Sequence, residues 1–148
     1  MIGPDEAVAV GGLLLAVVIG LLAHEWAHAV VLRLADVEYT VSYFPGRTDG
    51  LVSLLASCPW AAVHPSPTGR EPAWVLRVAA LAPLSIAVPV FALVAFDVVS
   101  TGSSLETAIA IGLLACAIPS PQDFSVAFYA HRVLEEVDDA NARSSRAD

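Results

Sequence analysis

Hydrophobic and polar positions fall into blocks along this chain. The first apolar block runs from about Ala7 to Leu34, and its part from Ala7 to Ala23 carries no charge. A helix of that length crosses a hydrocarbon layer of about 30 Å. A second block covers about Trp74–Val99 and a third about Leu105–His131. Pro83 and Pro89 lie inside the second. Membrane helices tolerate proline where neighbours re-satisfy the backbone, so kinks are expected there. "PSP", residues 119–121, breaks the third block. Ser103 and Glu106 have the spacing of a capping box and mark its start.

The stretch 36–73 has a different period. "VEYTVSYF" alternates and is rich in β-branched and aromatic residues, "PGRTDG" has turn chemistry, and "LVSLLASC" follows. This pattern predicts a β-hairpin. "HPSPTGREP" is rich in breakers and reads as a loop. Residues 138–148 are polar and read as a disordered tail. The pattern predicts an all-α polytopic membrane protein. A single domain, 1–137, would hold three transmembrane helices at about 7–34, 74–99 and 105–131, with a small hairpin in the loop 36–73.

Composition strengthens this picture. Of the 148 residues, 57% are hydrophobic and 15% charged, and mean hydropathy is +0.70, above the soluble norm. The net charge of −8 argues against nucleic-acid binding. All seven basic residues are arginines. An acidic chain without lysine suits a very salty cell interior and equally suits an ordinary acidic protein. Cys58 and Cys116 lack metal-type spacing and read as free thiols. Asp5 and Glu6 precede the first block where a cleavable signal would be basic, so that block reads as a retained helix. Arg33, Arg47, Arg70 and Arg77 flank the loop after the first span, and Arg132, Arg143 and Arg146 follow the third. The positive-inside rule then places the N-terminus outside and the hairpin loop and C-terminus in the cytoplasm, most simply of a multi-pass cell-membrane protein.

Ionisable side chains inside such a block cost about 2.5–3.5 kcal/mol each near the bilayer centre, so a group of them needs a partner. "HEWAH" supplies three: His24, Glu25 and His28. Histidines four apart share a helix face and can hold one metal ion. Glu25 is turned about 100° from His24, where it can take a proton from water. The plainer alternative is a pair of histidines bonded to neighbouring helices. A catalytic zinc usually has three protein ligands and an open position. His64, His131 and the acids are candidates for the third. His64 lies among breakers, and His131 lies beside Arg132. Asp123 follows the Pro-Ser-Pro break. Its distance along the third span matches that of His24 along the first, so both should lie roughly 25–27 Å below the outer surface. An N-cap role for Asp123 is compatible with ligation.

These features resemble the site-2 protease family of intramembrane zinc metalloproteases. "HEWAHA" resembles that family's HExxH helix, "ALAPLS" (80–85) the start of its middle helix, and "PSPQD" the proline-rich approach to its metal-binding aspartate. The match covers roughly Leu13–His131. It implies one zinc ion per chain, held by His24, His28 and Asp123, with Glu25 as general base. It also implies cleavage of a peptide bond in or near a transmembrane segment of a membrane-protein substrate. The chain departs from the family pattern at Ala27 and Ala82, where glycine is usual, and at Phe124, where glycine often follows the aspartate. Ala115 and Cys116 stand in the region of a customary asparagine.

The strand "VEYTVSYF" offers an edge that an extended substrate could join. Proline at Thr40 or Ser42 is the test this suggests. An inactive protease relative that binds membrane segments in a regulatory role is an alternative. A structural or metal-handling membrane protein is another. Three spans are few for enclosing a water-accessible site, which a homodimer or partner subunit would help shield.

Overall fold

The computed structural model describes residues 3–43, 61–69, 71–100 and 102–144. They form mostly helix, with one small antiparallel sheet. In chain order the elements are α1 (Pro4–Leu34), β1 (Tyr39–Tyr43), β2 (Ala61–Pro65), α2 (Ala73–Leu81), a 3₁₀ stretch (Ala82–Ile86), α3 (Ala87–Ala95), α4 (Ser104–Ala117) and α5 (Pro121–Ser144). Three helical runs are long and apolar enough to cross a membrane: Pro4–Leu34, Ala73–Ala95 and Ser104–Asp139.

Local chemistry explains the helix ends. Pro4 opens α1, where its missing N–H costs nothing. Asp5 and Glu6 meet the positive end of the helix dipole and Arg33 the negative end. Beyond Leu34, Asp36 takes a left-handed conformation (φ 53°). The N–H of Val37 then reaches the carbonyl of Leu32 at 3.0 Å, and that of Asp36 reaches Arg33 at 3.3 Å. This is a Schellman cap with aspartate in the position glycine usually takes. The same device ends α3. Asp97 has φ 55°, and Val98 and Asp97 donate to Leu93 and Val94. The second apolar run is therefore helical only to Ala95, short of the expected Val99. At the start of α4 the Ser103 hydroxyl accepts from the N–H of Glu106 at 3.4 Å. The Glu106 carboxylate turns to Ser100 instead of closing the box.

The chain divides into two compact units, and the division falls inside α1 after Trp26. The first unit comprises residues 1–26 and 83–118. There α3 packs on α4, and Gly112 of α4 lies against Leu13 and Ala16 of α1. Its outer face is apolar: Val8, Leu15, Ile19, Val88, Phe91 and Ile111 are all exposed. The second unit comprises residues 27–82 and 119–148. There α2 packs on α5, and Leu32, Val37, Val75, Leu76, Ala79, Ala130 and Leu134 form its core. Leu32 and Val37, joined by the Schellman bond, are both in that core. Gly69, at φ +90°, brings its loop against the backbone of Asp138 and leaves no room for a side chain. In the adjoining turn, burial of Glu71 opposes its charge. Hydrogen bonds from the Thr68 and Gly69 N–H groups and the Thr68 hydroxyl outweigh that and hold its carboxyl below the usual range.

Three expectations are corrected. First, β1 pairs with Ala61–Pro65, a segment expected to be irregular from His64 onward. The anticipated partner, "LVSLLASC", lies outside the described residues. Second, the register pairs Thr40 with His64 and Ser42 with Ala62, and the N–H of Ser66 donates to Glu38. Hydrogen-bonded pairs alternate along an antiparallel ladder. Thr40 and Ser42 therefore direct their backbone groups at β2, and Tyr39 and Val41 direct theirs at the other edge. Pro65, without an N–H, sits opposite Tyr39, where no donor is needed. Third, residues 138–144, expected to be disordered, continue α5. Alanine and arginine favour helix there, and Arg143 lies in the last turn, where a cation suits the dipole. The helix bends at Tyr129 (φ −112°, ψ 17°), whose ring lies under the Arg132 guanidinium.

Candidate metal centre

Positions four apart on α1 form one face: Gly12, Ala16, Gly20, His24, His28 and Leu32. From Ala16 onward every member is buried. The apolar half of this face uses small residues so that neighbouring backbone can approach. The two histidines continue the same line and are each 8% exposed. Each needs a polar partner at that depth.

Each has one on its Nδ1 side. His24 Nδ1 lies 2.7 Å from the carbonyl oxygen of Cys116 in α4. His28 Nδ1 lies 2.7 Å from that of Ala79 in α2. A carbonyl only accepts, so each ring carries a proton on Nδ1 and leaves Nε2 as the atom that can turn to a ligand. A histidine that ligates through Nε2 is commonly oriented in this way by an outer carbonyl.

Asp123 sits in the first turn of α5. Its Oδ2 accepts the N–H of Ser120 at 2.7 Å, and its own N–H donates to the Ser120 hydroxyl at 3.1 Å. This reciprocal pair is a capping box. Ser120 is the N-cap, three residues before the aspartate expected in that role. One carboxylate oxygen is thereby used for capping. The other, Oδ1, lies 3.4 Å from His28 Nε2. Two ligand atoms on a tetrahedral zinc with bonds of about 2.0–2.1 Å stand about 3.3 Å apart.

One ligand atom from each of His24, His28 and Asp123 lies within 4.8 Å of the other two. Two imidazole nitrogens and one carboxylate oxygen are a donor set that suits zinc and leaves a fourth position open. The three residues singled out from the sequence are thus brought together and can hold a metal. Glu25 is half-buried on α1 between the two histidines, on a different side of the helix. His64 in β2 and His131 on α5 are exposed and stand outside the group. Cys116 contributes its carbonyl. Its buried thiol donates to the Val17 carbonyl at 3.5 Å. Cys58 lies outside the described residues.

Comparison of the chain with protein-family models, with curated proteins and with solved structures returned no match.

Proposed function

We propose that the protein is an intramembrane zinc metalloendopeptidase that cuts a membrane-protein substrate in or near a transmembrane segment. The observation that carries this reading is the convergence of His24, His28 and Asp123 with Glu25 beside them. Exposed leucine, isoleucine, valine and phenylalanine on all three long apolar runs support immersion in lipid. A soluble protein rarely leaves so much contiguous apolar surface. In the orientation that the arginines favour, the N-terminus faces outside and the C-terminus the cytoplasm of a cell membrane.

Zinc, when bound, supplies a Lewis acid that lowers the pKa of water and polarises a scissile carbonyl. His24 and His28 offer Nε2, and Asp123 offers Oδ1, because their other polar atoms are engaged by backbone. Glu25 takes the proton from the attacking water and delivers it to the leaving amine. The burial of both histidines limits access of bulk water.

A substrate must present extended backbone, since a helical carbonyl is already bonded. The edge of β1 away from β2 can accept such a strand. Proline at Thr40 or Ser42 would break the β1–β2 ladder itself. The informative variant is Val41→Pro, which removes a donor from the outer edge. It is expected to lower turnover at least tenfold while zinc content stays at wild-type level. Unchanged turnover would remove the edge from the mechanism.

The reading is tested by zinc content per chain in detergent-purified protein, prepared without chelators, with Asp123→Ala alongside. About one zinc in the wild type and a sharp loss in the variant are expected. No zinc in either would overturn the reading. Ala27 and Phe124, which replace the glycines usual in the resembled family, favour one second reading. In it the chain binds membrane segments and regulates them without cutting.

A further inference from the structure

Both carbonyls that hold the histidines lack their i+4 helical donor, and for Ala79 a proline is the reason. In an α-helix the carbonyl of residue i accepts from the N–H of residue i+4. For Ala79 that residue is Pro83, which has no N–H. The chain tightens there into the 3₁₀ stretch Ala82–Ile86, and the N–H of Ala82 reaches Ala79 with an i+3 bond. A carbonyl oxygen has two lone pairs, and His28 Nδ1 takes the second at 2.7 Å. For Cys116 the i+3 residue is Pro119, again without an N–H. The i+4 donor, Ser120, is directed at Asp123 Oδ2. His24 Nδ1 fills that place at 2.7 Å.

We infer that Pro83 is a positioning residue of the metal centre: by withholding its backbone N–H, it reserves the Ala79 carbonyl for His28. This rests on the zinc-site reading above and adds to it a reason for a proline inside an apolar helical run. Proline is the least favourable residue in a helix interior. A merely structural kink would leave the histidine tautomers indifferent to which residue made it. The reservation does not. With an N–H at position 83, the regular α-helical bond adds a third donor to the two lone pairs of Ala79 and competes with His28. The imidazole is then released to rotate or to carry its proton on Nε2, where it no longer ligates.

The experiment compares the full-length wild type with Pro83→Ala and with an ester variant carrying lactic acid at position 83. Alanine and lactic acid have the same side chain and differ in the presence of the N–H. Two quantities are read. Zinc affinity is measured by competition with a chromophoric chelator. The tautomer of His28 in metal-free protein is read from its ring ¹⁵N shifts. Loss of an outer partner of a metal-bound histidine typically weakens binding 10–100-fold. Pro83→Ala is therefore expected to bind zinc at least tenfold more weakly, and to show Nε2–H character at His28, while its thermal stability in detergent stays level or rises. The ester is expected to return affinity to within about threefold of wild type and to restore the Nδ1–H signature. Wild-type affinity and tautomer in Pro83→Ala would overturn the inference. So would equal weakening in the alanine and ester variants, since ring shape and not the missing donor would then matter. If the wild type binds no zinc, the metal reading fails. The tautomer comparison still decides the proline role, because it is made without metal.

Discussion

Glu25→Gln is expected to keep about one zinc per chain and to lower cleavage of a co-reconstituted single-span membrane protein by roughly 10²–10⁴-fold. Glutamine has nearly the same volume and keeps one carbonyl oxygen, so the helix and its burial are undisturbed. It cannot accept and return a proton near neutral pH. Glu25 is one residue from His24 and about 100° around the helix. It is therefore beside the ligands and outside their set. Zinc content and turnover should separate cleanly. The regulatory-binder reading predicts another result, in which Glu25→Gln still captures the same membrane segment and still exerts its effect. Cleavage that persists at wild-type rate would remove Glu25 from catalysis. A loss of zinc would instead assign it a structural part in holding the site.

Much of this arrangement was legible in the sequence because it rests on period and length. Long uncharged blocks could only be buried or immersed, and the three runs follow them closely. The histidines at four-residue spacing had to share a face. Asp123 could be brought to their level by counting residues from each helix start, because rise per residue is nearly constant. The structure places Asp123 Oδ1 3.4 Å from His28 Nε2.

What escaped the sequence reading depends on individual backbone donors. β2 was missed because "AAVHP" is short and ends in proline. Its pairing became readable only through the register, in which Pro65 faces a position that needs no donor. Polarity alone suggests disorder beyond residue 137, whereas alanine and arginine hold a polar helix well and α5 continues to Ser144. The carbonyls of Ala79 and Cys116 carry no side-chain signal at all. The availability of the Ala79 carbonyl could have been inferred from Pro83, by asking which i+4 bond it removes, and that of Cys116 from its place in the last turn of α4. Ser120 was likewise readable, since "SPQD" has the serine-to-acid spacing of a capping box.

Gly20→Ala is expected to weaken zinc binding at least tenfold and to destabilise the protein by about 1–3 kcal/mol. A Cβ at Gly20 would lie 2.8 Å from both the Cβ and the Sγ of Cys116. Carbon atoms pack at about 3.5–4.0 Å. Neither Cβ can escape by changing rotamer, so the backbones of α1 and α4 must part by nearly 1 Å at that level. His24 is one turn further along α1, and its Nδ1 rests 2.7 Å from the carbonyl of Cys116 itself. Opening the contact stretches that bond toward or beyond the limit of about 3.2 Å for a good N–H to O hydrogen bond. A change one turn away from the ligand thus reaches the metal through the carbonyl that orients it. Gly11→Ala is the control, since a Cβ there meets nothing within 4 Å. It should leave zinc binding unchanged. Moving the notch to the other helix, with Cys116→Gly in the Gly20→Ala background, removes both clashing atoms and should recover most of the affinity. Full zinc binding in Gly20→Ala would mean that His24 does not depend on the Cys116 carbonyl. Failure of the compensating pair to recover affinity would mean that the effect travels by another route.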